Sequence, residues 1–309
     1  MHSWQFYSLE TLLNFPFKHL VKEESDLIKV RNLFETFSPH YTHPQVRWQP
    51  LKMGPIPAEV ITPTNVSFSS VILYLHGGGY FMGSPKTHRS YLSYFRHITN
   101  SRIYDVDYRL ALVHPFPAAL EDALFAYGWR TKAYAPEELV IAGESAGGGL
   151  TLATLGALKS AKIPLPSAAV CISPWTDLAL TGETLEENKR KDALVPAELL
   201  PLVTKLYLKN SSPHHPLASP LYANLEGFPP LYILASNSEV FLSDAVRLAQ
   251  KAEKQGVQVT LDIWEDMTHA WPFFARFLPE SRLALKKIAD FIHKYTAVPL
   301  PQHYIEKTA

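Results

Sequence analysis

The sequence predicts an α/β fold with a mainly parallel central sheet and helices on both of its faces. Short apolar runs of strand length alternate with helical patterns through most of the chain, which is typical of parallel sheets. The helical patterns are long enough to form the crossovers that parallel strands require. With 309 residues, 47% of them hydrophobic, the chain can bury a large core as one domain.

Six apolar runs predict the strands of this sheet. They are Val71–Leu75, Ile103–Val106, Leu139–Ala142, Ala168–Ile172, Leu231–Ala235 and Val259–Trp264. One or two antiparallel strands are expected earlier, within 46–62. Helical spacing predicts helices over about 87–99, 117–131, 145–160, 244–255 and 281–295. Asp244 is suited to cap the start of the fourth of these helices, and Gly256 is suited to end it.

Two segments depart from the strand–helix alternation. Residues 1–45 have helical spacing of apolar positions, such as Leu9, Leu12 and Leu13, whereas alternation characterises 46–309. Within the second part, residues 175–229 carry many prolines and one amphipathic pattern, Pro196 to Leu208. We interpret 175–229 as an insertion that forms a helical cap over the sheet together with 1–45. Ordinary surface packing is the alternative.

Charge and cysteine content exclude several classes of protein. The 29 basic and 29 acidic residues balance, and the basic residues 189–191 stand beside acidic ones, including Asp192. This pattern is typical of a solvated face and argues against a nucleic-acid partner. One cysteine, Cys171, forms no internal disulfide. No apolar stretch is long enough for a transmembrane segment, and no signal peptide is recognisable, so cytoplasmic residence is expected.

The segment Gly143-Glu144-Ser145-Ala146-Gly147 matches the pattern G-x-S-x-G, with an apolar strand before it and a helical run after it. In this context the serine projects from a very tight turn, and glycines on either side avoid clashes. The N-terminus of the following helix points free N–H groups at developing negative charge. The motif therefore predicts a nucleophilic serine at Ser145.

A second glycine motif, His76-Gly77-Gly78-Gly79, directly follows the first strand of the parallel series. Its glycines let the backbone turn N–H groups toward a bound ligand, as in the oxyanion loop of serine hydrolases. A phosphate-binding loop is excluded, because Gly83-Ser84-Pro85 stands where Gly-Lys-Ser/Thr would be required. His76 is expected to orient the loop by hydrogen bonds.

The general base is expected after Ser145 in the chain, since this kind of triad runs in the order serine, acid, histidine. His269 follows the last predicted strand by a short loop and so reaches the edge of the sheet where Ser145 lies. The other histidines after Ser145 lie in the insertion, in a helical pattern or near the C-terminus. For the acid, Glu239 lies in the loop after Leu231–Ala235, and Asp244 is the alternative.

Together these motifs resemble the hormone-sensitive-lipase-like esterases, also called bacterial family IV, of the α/β-hydrolase superfamily. The resemblance runs from about Val71 to Trp271. The segments that carry it are His76–Ser84, Asp107–Leu110, His114–Ala119 and Gly143–Gly148. Glu144 replaces the aspartate that often precedes the nucleophile, and Leu112 and Val113 replace a frequent proline and glutamate.

The resemblance implies roles for particular residues. The N–H groups of Gly78, Gly79 and Ala146 would form the oxyanion hole, supported by His76 and Gly77. Ser145 would be the nucleophile and His269 the base. The family's acid, usually an aspartate, stands about thirty residues before that histidine, which is the position of Glu239 here.

The expected activity is hydrolysis of short- to medium-chain acyl esters through an acyl-enzyme, with no cofactor and no metal. Aromatic residues Trp4, Phe6, Phe15 and Phe17, with the insertion, would cover a closed acyl pocket of finite length. An amide or N-acyl substrate is the alternative, and a non-catalytic receptor on this fold is disfavoured because His269 is present. The expected partner is a small-molecule ester, and the family resemblance implies that the chain can form a homodimer.

Overall fold

The structure is a computed structural model that describes residues 3, 5–6, 21, 23–38, 41–64 and 70–296. These residues form eight strands: β1 (Val46–Met53), β2 (Ile56–Pro63), β3 (Ser70–Leu75), β4 (Ser101–Val106), β5 (Leu139–Glu144), β6 (Ala168–Ile172), β7 (Leu231–Ser236) and β8 (Val259–Trp264). The α-helices in the same residues are α1 (Glu24–Phe37), α2 (Pro85–Thr99), α3 (Ala118–Arg130), α4 (Ala146–Ser160), α5 (Thr184–Glu187), α6 (Leu200–Leu208), α7 (Leu242–Lys254) and α8 (Pro279–Tyr295).

The strands form one sheet in the order β1-β2-β4-β3-β5-β6-β7-β8. β1 pairs antiparallel with β2, and β2 pairs antiparallel with β4, as expected for residues 46–62. All pairs from β4 and β3 through to β8 are parallel. The carboxyl ends of these six strands therefore meet at one edge, which is where sites form in open α/β sheets.

Both faces of the sheet are covered by helices, which confirms the predicted fold class. Along β3, Val71, Leu73 and Leu75 pack into a core on one face, and Ile72 and Tyr74 pack into a core on the other. This alternation follows from the two-residue period of a strand. Helices α3, α4 and α7 contribute to the first core and α2 and α8 to the second. Each fully buried aliphatic side chain contributes roughly 1.5–3 kcal/mol relative to exposure.

Helix α7 corrects one expectation. It begins at Leu242 with Phe241 at the N-cap position, so the predicted capping role of Asp244 is wrong. Asp244 lies in the first turn, where its carboxylate is used by a neighbouring loop. The other end of α7 is as predicted, because Gly256 has φ of 79° and Val257 N–H donates to the Ala252 carbonyl, which closes the helix.

The insertion 175–229 contains a second 3-10 turn at Pro220–Tyr222 and, before it, α5, the 3-10 turn Ala197–Leu199 and α6. The last two elements occupy the predicted amphipathic segment from Pro196 to Leu208. Helix α1 lies within the predicted N-terminal helical segment, whereas Leu9, Leu12 and Leu13 lie outside the described residues. The boundaries 1–45 and 46–309 stay predictions. No helix within the described ranges has the length and apolar character needed to cross a membrane.

Candidate active site

Ser145 occupies the turn between β5 and α4, where it adopts φ 55° and ψ −123°. This region of backbone space is costly for a residue with a side chain, and the surrounding structure has to enforce it. Two hydrogen bonds do so, from Ser145 N to the Ile172 carbonyl at 2.8 Å and from Trp175 N to the Ser145 carbonyl at 3.0 Å. The turn holds Ser145 at the wall of a cavity.

The two glycines of this turn have no room for side chains. A Cβ atom on Gly147 would lie 1.9 Å from the Leu75 carbonyl oxygen, and one on Gly143 would lie 2.4 Å from the Gly147 carbonyl oxygen. Both positions are below any real contact distance and involve rigid backbone. The close approach places the start of α4 directly against the end of β3, from which the second glycine motif emerges.

That second motif forms the glycine loop, residues 76–83, at the same cavity. Gly78 has φ of 114° and Gly79 has φ of 59°, and a Cβ on Gly78 would lie 2.3 Å from the Met82 carbonyl oxygen. Only glycine adopts such a turn without strain. Within the described part of the chain, no protein group accepts a hydrogen bond from the backbone N–H of Gly78, Gly79 or Ala146. These donors are available to a ligand oxygen.

His76 is fully buried at the root of the glycine loop. Its Nδ1 lies 2.9 Å from the Gly77 carbonyl, its ring stacks on Tyr108 at 4.2 Å, and Tyr108 Oη donates to the His76 carbonyl at 2.6 Å. Burial, together with the charge of nearby His88, lowers the pKa of His76 to about 3. The imidazole is therefore neutral, and its contacts are made with the glycine loop and Tyr108.

Glu144, which stands where the family often has an aspartate, supports the glycine loop through Gly77. Its buried carboxylate accepts hydrogen bonds from Gly77 N and Tyr74 Oη, and it lies 2.7 Å from Nε2 of His88. Burial opposes its charged form, but the charge and hydrogen bond of His88 hold the pKa of Glu144 below its usual value. The sequence did contain a signal for this role of Glu144. A carboxylate at the end of an apolar, wholly buried strand requires hydrogen-bond or ionic partners.

His269 and Glu239 form a buried pair on the other side of Ser145. His269 Nδ1 lies 2.8 Å from Glu239 Oε2, and Glu239 Oε1 accepts from Ser173 Oγ at 2.8 Å and from Ser236 N at 2.7 Å. Ionised Glu239 accepts a hydrogen bond from Nδ1–H, so the proton of the neutral imidazole stays on Nδ1 and the lone pair of Nε2 is free. Among the described residues, no protein group hydrogen-bonds Nε2, and His269 lines the same cavity as Ser145.

The surrounding charges make His269 more basic than a free imidazole. Burial works against protonation, but the hydrogen bond and charge of Glu239, with the charges of Asp192 and Glu144, outweigh it and raise the pKa of His269. The imidazolium is thus stabilised where a general base needs it, after it has taken a proton.

Asp244, the alternative acid, has a different environment. Its carboxylate accepts from Thr176 N at 2.7 Å and from Asp177 N at 2.9 Å, and it lies 3.2 Å from Arg247. Burial raises the pKa of Asp244 to about 7. This residue ties the loop after β6 to α7, and His269 has its hydrogen bond with Glu239 instead.

The cavity has a volume of about 300 Å³ and a largely apolar wall. Helix α1, the insertion and other elements all contribute to that wall. The residues are Val30 and Phe34 from α1, Trp175, Leu194, Val195 and Val203 from the insertion, and the aromatic residues Phe241 and Phe273 from elsewhere. Of the aromatic residues expected to cover it, Phe6 is instead buried in the core that α2 and α8 share. Trp4, Phe15 and Phe17 lie outside the described residues.

Comparisons with known proteins point to one family. The profile of a family described as the alpha/beta hydrolase fold matches residues 72–273. An acetyl-hydrolase of Streptomyces hygroscopicus is 40% identical over 245 residues, which cover 79% of this chain and 82% of that protein. An esterase of Acinetobacter venetianus is 31% identical over 295 residues, which cover 93% and 96%.

Solved structures agree with these relatives. An esterase of the bacterial hormone-sensitive lipase family has a TM-score of 0.90 and 37% identity, and the match covers 96% of this chain and 99% of that one. The esterase EstE5, from a crystal soaked with p-nitrophenyl butyrate, has a TM-score of 0.90 and 34% identity over 96% and 100%. The predicted fold, resemblance and class of carboxylic ester hydrolase are confirmed. The chain belongs to the hormone-sensitive-lipase-like esterases of the α/β-hydrolase fold.

Proposed function

We propose that the protein is a serine carboxylesterase that hydrolyses short- to medium-chain acyl esters, with Ser145, His269 and Glu239 as its triad. One observation carries the proposal. A single apolar cavity is lined by Ser145, by the glycine loop and by His269, whose Nδ1 is held by Glu239. Nucleophile, base and oxyanion donors therefore meet around one space for a substrate.

In the acylation step, Nε2 of His269 takes the proton of Ser145 Oγ as this oxygen attacks the ester carbonyl carbon. The carbonyl electrons move to the oxygen, and this oxyanion accepts hydrogen bonds from the N–H groups of Gly78, Gly79 and Ala146. The tetrahedral intermediate then collapses, the bond to the alcohol oxygen breaks, and the alcohol leaves with the proton from Nε2.

Deacylation repeats the sequence with water. Nε2 of His269 takes one proton of the water as its oxygen attacks the acyl-enzyme carbonyl, and Ser145 Oγ leaves with that proton. The products are a carboxylic acid and the free serine. Glu239 stays ionised throughout, fixes the Nδ1–H tautomer and stabilises the imidazolium.

The wall of the cavity supports a limited acyl length. Helix α1 and the insertion both line it, so we propose that these two segments form a cap over the acyl group. A cavity of about 300 Å³ accommodates an acyl chain of finite length. The butyrate ester used with EstE5 and the name of the acetyl-hydrolase relative are both consistent with short acyl groups.

The test is a series of p-nitrophenyl esters from acetate to palmitate, together with the p-nitroanilide of acetate, for the wild type and Ser145→Ala. We expect rates to peak at short or medium esters and Ser145→Ala to lose on the order of 10⁴-fold or more. Ser160→Ala, on the exposed end of α4, is the matched control and should retain wild-type rates.

Three outcomes would contradict the proposal. A serine-directed phosphonate that labels a residue other than Ser145 would exclude the triad. Faster turnover of the anilide than of the ester would favour the alternative of an amide or N-acyl hydrolase. Strong activity on emulsified long-chain triglyceride would favour a true lipase. Cytoplasmic residence and the homodimer stay predictions.

A further inference from the structure

The loop that carries Glu239, residues 236–240, is held by side chains of the insertion; we call it the acid loop. Asn188 Nδ2 donates to the carbonyl oxygens of Asn237 and Glu239, both at 2.9 Å. Asp192 Oδ2 accepts from Val240 N at 3.0 Å. These contacts fix the backbone on both sides of Glu239, and both side chains that make them are buried.

The second oxygen of Asp192 points to the cavity wall. Its Oδ1 accepts from Leu194 N at 3.0 Å and from Val195 N at 3.1 Å, and both of these residues line the cavity. One carboxylate therefore joins the wall that faces the substrate to the acid loop. Its three partners are backbone N–H groups, which an ionised carboxylate accepts more strongly than a neutral amide does.

We propose that Asp192 and Asn188 are positioning residues of the triad, which hold the acid loop and the cavity wall in a fixed relation. This inference rests on the proposed function. Neither residue is part of the hydrogen-bonded triad, and both act through Glu239. The insertion is thus a structural support of the base side of the site as well as a cover for the substrate.

Asp192 also acts by charge. The groups that face His269 are Glu239 from the acid loop, Asp192 from the insertion, and Glu144, itself paired with His88, from β5. Each of the three carboxylates favours the imidazolium. A cation also contacts this group of side chains, since Lys191 Nζ lies 3.1 Å from Asn188 Oδ1. Removal of the Asp192 charge therefore lowers the pKa of His269.

The experiment compares Asp192→Asn with Asp177→Asn by the pH dependence of kcat/KM for p-nitrophenyl butyrate. Asp177 is the matched control, since it is a buried carboxylate of the same insertion that faces Arg247 and Thr181. We expect Asp192→Asn to lose about 10- to 100-fold in kcat/KM, because misplacement of catalytic groups has costs of this order. The acid limb of the pH profile of kcat/KM should move to lower pH by roughly half a unit or more in Asp192→Asn.

Asn188→Ala tests the position of the acid loop without changing the charge near His269. It also provides a second test of the proposal if Asp192→Asn does not fold. It removes the two hydrogen bonds to the acid loop and the contact with Lys191 Nζ without changing a carboxylate. We therefore expect kcat to fall about 5-fold or more while the acid limb of the pH profile stays in place. Wild-type kinetics of folded Asn188→Ala would overturn the proposal. So would an Asp192→Asn limb that does not move, or one that moves equally in Asp177→Asn.

The same measurements distinguish this inference from the proposed function. If the wild type hydrolyses esters and a phosphonate labels Ser145, the proposed function holds whatever Asp192→Asn does. If the wild type lacks ester hydrolysis, the proposed function itself fails.

Discussion

The two sides of Ser145 are built by the same device from different parts of the chain. On one side, the buried carboxylate of Glu144 accepts the N–H of Gly77 and so holds the glycine loop. On the other, the buried carboxylate of Asp192 accepts the N–H of Val240 and so holds the acid loop. Glu144 ends a strand of the sheet and adjoins Ser145 in sequence, whereas Asp192 belongs to an insertion.

This difference separates what the fold supplies from what the insertion supplies. The side with the glycine loop, which we propose as the oxyanion side, depends on the sheet and on α2, through Glu144 and His88. The side with His269, which we propose as the base side, depends on β7 for the position of Glu239 and on the insertion for the path of its loop. Substitutions on the two sides should consequently have different kinetic signatures.

The largest effect is expected at the centre of the base side. Glu239→Gln keeps the shape of the side chain but removes the charge that stabilises the imidazolium, so kcat should fall by up to ~10⁴-fold. The measurement is steady-state turnover of p-nitrophenyl butyrate, with far-UV circular dichroism to show that the variant is folded. A folded Glu239→Gln with near wild-type turnover would exclude Glu239 from the triad.

An intermediate effect is expected on the oxyanion side. Glu144→Gln keeps an oxygen for Gly77 N but loses the charge that pairs with His88, and the glycine loop loses part of its support. We expect kcat to fall about 10- to 100-fold with KM little changed, because a loss of oxyanion stabilisation affects the transition state selectively. A rise in KM at constant kcat would contradict this and would assign Glu144 to substrate binding.

The smallest effect on turnover is expected at Asp244. This residue is only five positions after Glu239 in the sequence, but its carboxylate contacts the loop after β6 and not His269. Asparagine at this position can still accept from Thr176 N and Asp177 N, so Asp244→Asn should keep turnover within about 3-fold. Loss of the charge-assisted contacts should cost about 1 kcal/mol in the free energy of unfolding, measured by urea denaturation. Abolished turnover in a folded Asp244→Asn, with Glu239→Gln active, would exchange the two assignments.

The sequence was informative where a motif implies its own geometry. The turn at Ser145 and the glycine loop require glycines at defined places, and a position in the loop after the last strand brings His269 to the same edge of the sheet. Strand limits agreed within two residues, and Ala168–Ile172 and Val259–Trp264 matched fully. Periodicity of apolar residues determines such limits because burial selects them directly.

The sequence was uninformative where a side chain serves a distant backbone. Asp244 has the local pattern of a helix cap, and no sequence pattern shows that amides 68 and 67 residues away, those of Thr176 and Asp177, use its carboxylate. Asp192 follows the basic residues 189–191 and was expected on a solvated face, yet it is fully buried. Such roles depend on which loops meet in three dimensions.

The double contact of Asp192 has a consequence for chimaeric enzymes. A designer who exchanges the segment 175–229 between related esterases to change their acyl range also replaces Asn188 and Asp192. If the incoming segment lacks equivalent groups, the chimaera should acquire a different cavity wall and, for the same reason, a lower turnover rate. A junction placed after Val195 keeps both residues with their host and still replaces α6, so the position of the junction decides whether selectivity can be altered without loss of rate.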